Sequence, residues 1–195
     1  PSFAQARYYL GLALADQARP GEAIAELERT IADGTRAADV YLTLGALYLG
    51  VDRPDEAIRA LESAAALSAG HPELFVTLAR AYRVKGRLTD AEAQLDRALP
   101  PGAAMEASAR FEQIEADILS ERGAIRLAQK RPGDARVWLE KARAVRPAVG
   151  DIHRQLVRVY LALGRPQDAR AAADEAARLG APVDDATRRA LEVTA

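Results

Sequence analysis

The segment Arg19-Pro20-Gly21-Glu22-Ala23 returns four more times along the chain. It is seen again as Arg53-Pro54-Asp55-Glu56-Ala57, Arg87-Leu88-Thr89-Asp90-Ala91, Arg131-Pro132-Gly133-Asp134-Ala135 and Arg165-Pro166-Gln167-Asp168-Ala169. The closing alanines are evenly spaced except for one longer step, from Ala91 to Ala135. A fixed period of about 34 residues is the signature of stacked repeats, each a supersecondary unit that buries its apolar face only against a neighbour. Proline suits the first position of a helix, where its missing N–H costs nothing and its φ is already helical. The acid two residues later meets the unpaired N–H groups and positive dipole end of the first turn. Each segment therefore starts the second helix of a pair, and its alanine begins that helix's buried face.

A first helix lies upstream of each segment. Leu10-Gly11 with Leu14, Leu44-Gly45 with Tyr41 and Tyr48, and Leu78-Ala79 with Phe75 and Tyr82 are spaced by three, one and three residues, which places them on one helical face. Gly11, Gly45 and Ala79 leave room for the second helix to cross closely. That helix carries Leu27, Leu61, Leu95 or Leu139 four residues after its alanine, and Thr30, Ala64, Ala98 or Ala142 three further on. Repeat five is looser, with Val157 at the small site and Ala173 where leucine is usual. The spacing predicts helices over 2–17 and 20–33, 37–50 and 54–68, 72–85 and 88–98, 104–129 and 132–145, and 149–163 and 166–179. A last helix from Asp184 to about Val193 caps the stack.

These residues resemble the tetratricopeptide repeat, a helix–turn–helix unit of about 34 residues with small residues where its helices cross. The late proline of that family has a counterpart at Pro147. The resemblance implies an all-α, right-handed α-α superhelix in one domain, with repeats at about 4–37, 38–71, 72–103, 104–149 and 150–183 and a cap at 184–195. It also implies a protein–protein interaction scaffold, not an enzyme, whose first helices line a concave groove for a partner protein or peptide. By register the groove side chains include Tyr8, Leu12, Thr77, Arg80, Arg83, Arg154 and Arg158, together with Leu42, Ala46, Leu49, Ser120 and Ala124. Arginines at helical spacings of three and four suit an acidic ligand, because the guanidinium fork binds carboxylates in pairs; cross-helix pairing with acids of the chain is the alternative. The chaperone-tail-binding subtype is set aside, since it relies on asparagine and this chain has none.

The extra ten residues fall after Pro100-Pro101-Gly102. From Ala103 to Lys130 only Gly123 interrupts helical pattern, and Phe111, Ile114, Ile118 and Ile125 form an apolar stripe. One helix of roughly 26 residues, about 39 Å at 1.5 Å per residue, would overhang the stack and offer Phe111, Ile114 and Ile118 to a partner. A short extra helix followed by a bend is the alternative. Arg122 and Arg126 stand where leucine and tyrosine stood before, so the helix is rotated there or the guanidiniums face a local acidic or solvated site.

Composition agrees with this reading. Hydrophobic residues reach 49% while aromatics are 5%, so alanine and leucine carry the packing. With 27 basic and 28 acidic residues the chain offers no field for nucleic acid. No apolar run approaches the roughly 20 residues of a spanning helix, which argues against membrane insertion. Cysteine is absent, which removes disulfides and thiolate–metal sites and leaves the redox compartment open. A cytoplasmic location is favoured over a periplasmic one. Alanine abundance and arginine in place of lysine suggest a GC-rich bacterial coding sequence. Helical pattern already runs by Phe3, without an initiator Met, which reads as a piece of a longer protein. The residues name neither the oligomeric state nor any cofactor or metal. His71 reads as a turn residue, His153 as a packing residue, and Asp184-Asp185 as the start of the last helix. Trp138 reads as a half-buried packing group. Two further readings use the same stack: a docking or regulatory segment of a larger enzyme, and a self-assembling scaffold.

Overall fold

A computed structural model describes residues 3–68, 71–98 and 109–193. Eleven helices and no strand are found among the described residues. They are α1 (Phe3–Asp16), α2 (Pro20–Ala32), α3 (Ala38–Gly50), α4 (Pro54–Leu67), α5 (Pro72–Val84), α6 (Leu88–Ala98), α7 (Ala109–Ala128), α8 (Pro132–Val145), α9 (Gly150–Ala162), α10 (Pro166–Arg178) and α11 (Asp185–Val193). The chain divides into two compact units, Pro1–Pro100 with α1 to α6 and Pro101–Ala195 with α7 to α11. Every expected helix is present, and most ends fall within a residue or two of expectation. The fourth first-helix, expected over 104–129, is seen as Ala109–Ala128; positions 104–108, with the overhang and the extra-helix alternative, lie outside the described residues.

Each odd-numbered helix from α1 to α9 packs on the even-numbered helix after it, and the turn between them is built the same way five times. The residue before the signature arginine has a left-handed φ: Ala18 and Asp52 at 57°, Gly86 at 75°, Lys130 at 59° and Gly164 at 66°. The arginine N–H then donates to a carbonyl five residues back, Arg53 to Tyr48 at 2.8 Å and Arg165 to Tyr160 at 2.9 Å. The left-handed residue donates to a carbonyl three back, Gly86 to Arg83 at 2.9 Å and Lys130 to Leu127 at 2.9 Å. Together these bonds form a Schellman cap, which satisfies carbonyls that the helix end leaves open. Gly86 and Gly164 stand at this site in two of the five turns, whereas Gly50 lies inside α3 and Asp52 takes the left-handed turn there.

Burial follows the repeat. Ala23, Ala57, Ala91, Ala135 and Ala169 are fully buried, and so are Leu27, Leu61, Leu95 and Leu139. The leucines seat over the small residues of the first helices. A Cβ added at Gly45 would lie 2.5 Å from Leu61 Cγ, and one at Gly123 would lie 2.6 Å from Leu139 Cγ. Gly123 therefore occupies the same close crossing as Gly11 and Gly45, so α7 keeps the repeat register and is not rotated by Arg122 and Arg126. Arg122 reaches over the Trp138 ring at 5.4 Å from its centroid, with Lys141 at 5.0 Å. Trp138 itself is half-buried, and the cations gain from the ring's negative face. Repeat five exchanges sizes: Val157 is fully buried on α9, and Ala173 on α10 packs against the same core cluster. Volume-conserving exchanges of this kind are the best tolerated in a packed core.

Candidate partner-binding surface

In the first unit, α1, α3 and α5 lie beside one another, each contacting the next. Positions equivalent by the repeat form rows across them. Leu12, Ala46 and Arg80 make one row, with Leu12 half-buried and Ala46 and Arg80 exposed. A second row holds Tyr8 and Leu42, both half-buried, and ends at buried Val76. A third runs through Ala15, Leu49 and Arg83, all partly exposed. The opposite sides of α3 and α5 are buried through Leu44, Tyr48, Leu78 and Tyr82. The accessible face is thus apolar over α1 and α3 and cationic over α5. The Thr77 hydroxyl donates to the Glu73 carbonyl at 2.8 Å, so it is satisfied within its own helix and adds only partly exposed wall.

In the second unit Arg154 and Arg158 are exposed on α9. Arg154 pairs with Asp151 at 2.8 Å, one turn earlier on the same helix. The Asp184 carboxyl accepts from the Thr187 N–H at 2.7 Å and caps α11. That bond holds its pKa below the usual range, and the nearby Arg158 charge lowers it further. The Gln155 side-chain amide donates to Ser120 Oγ at 2.7 Å and ties α9 to α7.

The apolar stripe assigned to a partner corrects in part. Ile114 and Ile118 are both 3% exposed, and Phe111 alone of the three is partly exposed. A stripe at spacings of three and four marks an apolar face without saying whether protein already covers it, and here protein does.

A second set of residues escaped sequence reading, though it recurs in the repeat. The Tyr48 hydroxyl donates to Glu28, Tyr82 to Glu62 at 2.6 Å, and Tyr160 to Glu140 at 3.2 Å, each acid lying at one constant separation on the preceding second helix. The signature arginine stacks on the same ring: Arg53 over Tyr48 at 4.6 Å, Arg87 over Tyr82 at 4.3 Å and Arg165 over Tyr160 at 5.1 Å. That arginine also pairs with the first-turn acid of its own segment, as in Arg87 with Asp90 at 2.6 Å and Arg165 with Asp168 at 2.7 Å. Burial of the phenol and the carboxylate it faces push Tyr48 and Tyr82 up to about 12. Tyr160 is raised by burial and by Glu140. Tyrosine, acid and arginine together join one repeat to the next. The signal was available in the constant Glu–Tyr spacing, but a pattern spread over two repeats names no contact.

His153 is buried, with Nε2 2.8 Å from the Pro147 carbonyl, a structural role. Among the described residues there is no group of three or more His, Asp or Glu able to hold a metal. No helix of the described residues is long and apolar enough to cross a membrane.

Within each unit, helix pairs with a small residue at the crossing and the same turn between the two helices define a helical repeat protein. Family comparison places it. A tetratricopeptide repeat model matches residues 48–109 and 126–186, and a second tetratricopeptide repeat model matches residues 1–39. The chain belongs to the tetratricopeptide repeat family, whose members are generally protein–protein interaction modules. No curated protein matches. Among solved structures, pilF of Pseudomonas aeruginosa is similar at 16% identity and TM-score 0.72, over 97% of this chain and 83% of that one. A thermophilic TPR protein of Thermus thermophilus is similar at 21% identity and TM-score 0.74, over 98% of each chain. A chain of the APC/C Cut9–Hcn1 hetero-tetramer matches at 20% identity and TM-score 0.79, over 98% of this chain and 36% of that one. At these identities the likeness concerns the fold.

Proposed function

We propose that this chain is an interaction scaffold that holds a partner peptide or protein segment along the rows of α1, α3 and α5. The supporting observation is the row Leu12, Ala46 and Arg80, one position of three adjacent first helices, accessible while the other sides of α3 and α5 are buried. Apolar side chains at one end and arginines at the other suit a segment with an apolar stretch followed by acids. Tyr8 and Leu12 would take the apolar part, Thr77 would form wall, and Arg80 and Arg83 would face the carboxylates. Arg154 and Arg158 have acids of their own nearby, at Asp151 and Asp184, and contribute to an acidic ligand only by exchanging those partners. Chemistry, where the host protein performs any, belongs to other residues.

Selection from a randomised peptide library on the immobilised chain tests this reading. Enriched peptides should carry clustered Asp or Glu beside apolar residues. Their binding should weaken as salt rises, because exposed charges are screened beyond about 8 Å at physiological ionic strength. Arg80→Glu with Arg83→Glu should abolish that binding and leave helical content unchanged. Peptides that bind the double variant as tightly as the parent chain would refute the acidic-ligand reading.

A further inference from the structure

The face built by α1, α3 and α5 changes character in one direction only. Within each helix its accessible residues are alike: Leu12 and Ala15 on α1, Ala46 and Leu49 on α3, Arg80 and Arg83 on α5. The step from apolar to cationic falls between α3 and α5. An occupant meets that step only by lying across the helices, along the rows. Asp39 and Glu73 lie nearer the starts of α3 and α5, and repulsion from them keeps an acid to the Arg80 and Arg83 end.

Helix spacing then selects the backbone of the occupant. α1 contacts α3 and α3 contacts α5, and packed helices stand about 8–10 Å apart. A polyproline II segment completes a turn in three residues and advances about 9.3 Å, at about 3.1 Å per residue. It therefore offers one side chain to each first helix in turn, at every third residue. An α-helix advances about 1.5 Å per residue and needs roughly 11–13 residues for the same span. Only the part over α1 and α3 would meet apolar surface, and helices this short hold together poorly in water. Polyproline II is already a major conformer of unfolded chains, and its backbone stays hydrated on an open face.

We propose that this face takes an extended, polyproline II-like partner segment. Its apolar residues over α1 and α3 are three positions apart, and an Asp or Glu three beyond them lies over α5, in either chain direction. The inference rests on the acidic-ligand reading above and adds conformation and spacing to it. A second copy of this chain does not supply such a segment. Among the described residues the longest stretch between helices is 179–184, shorter than the pattern needs.

Short labelled peptides with Leu, Leu and Asp at separations of three and three, in both chain orders, provide the probe. Fluorescence anisotropy against the full chain should show saturable binding for at least one order. Moving the Asp two positions either way should weaken it at least fivefold, and proline at the intervening positions should leave it intact. Ala46→Glu should weaken it at least fivefold, and Arg80→Glu with Arg83→Glu should abolish it. These variants alter accessible side chains, and circular dichroism verifies that they fold. Loss of binding on adding proline, or tighter binding at the longer spacing of a helix, overturns the extended segment. If the arginine variant still fails to bind those peptides, the acidic-ligand reading survives that result. Binding that needs neither the Asp nor the arginines overturns both. Absence of saturable binding at every spacing overturns the pattern proposed here. A dimer of the parent chain that the arginine variant dissolves in sedimentation assigns the face to a second copy and overturns it as well.

Discussion

Gly45 offers a quantitative test of the close crossing. A Cβ there would sit 2.5 Å from Leu61 Cγ, 2.8 Å from Cδ2 and 3.2 Å from Cδ1. Carbon atoms prefer separations of about 3.5–4.0 Å, so Gly45→Ala is short by roughly 1 Å against the branch point of a fully buried leucine. Leu61 is fully buried, so α3 and α4 must separate locally or Leu61 must leave its rotamer. Overpacking of this kind costs about 1–3 kcal/mol. Alanine returns about 1 kcal/mol through helix propensity and a less flexible unfolded chain. At an approach this short the cost lies in the upper part of that range, about 2–3 kcal/mol, so the expected net effect is a destabilisation of about 1–2 kcal/mol. Gly11→Ala provides the internal control, since its nearest contacts are 3.0 and 3.1 Å from Leu27 atoms. There the same gain meets a smaller clash, and stability should change by less than about 1 kcal/mol. Urea unfolding followed by circular dichroism, supported by thermal melts in which 1 kcal/mol moves the midpoint by about 2–8 °C, separates the two. Adding Leu61→Ala to Gly45→Ala should recover part of the clash as a coupling of about 1 kcal/mol between the sites. A Gly45→Ala chain as stable as the parent, or less perturbed than Gly11→Ala, would refute the crossing geometry.

Three other outcomes follow from the same packing. Ala57→Leu should cost about 1–3 kcal/mol in urea unfolding, because Ala57 is fully buried at the start of α4, whereas Arg59→Ala on the exposed side should change stability by less than about 0.5 kcal/mol. Tyr48→Phe should destabilise by about 0.5–1.5 kcal/mol at neutral pH through loss of its bond to Glu28. Raised to about 12, Tyr48 and Tyr82 favour the neutral phenol in the folded chain. That contribution is complete below the ordinary tyrosine value of about 10 and is lost as pH climbs from there through about 12. Urea midpoints between pH 8 and 11.5 should therefore fall less steeply for the Tyr48→Phe/Tyr82→Phe chain than for the parent.

Local signals are what the sequence carries by itself. Proline at the first helical position, an acid in the first turn and an alanine behind it act within a few residues, and five copies at one spacing made the helix pairs legible. The small-residue crossings were legible too, because Gly11 and Gly45 recur in register opposite Leu27 and Leu61. Tertiary structure decided the rest. The left-handed caps fall on Ala18, Asp52 and Lys130 as readily as on glycine, because the five-residue and three-residue bonds stabilise a strained φ that no residue type announces. Arg122 and Arg126 left open whether the first helix of repeat four is rotated, and only the approach of Leu139 to Gly123 shows that it keeps its register. Ile114 and Ile118 read as an open stripe but are buried, while Leu10 matches its buried counterparts in sequence yet stands exposed. Periodicity reports which side of a helix is apolar. Whether another helix lies against that side depends on atoms distant in the chain, and only their arrangement in space answers it.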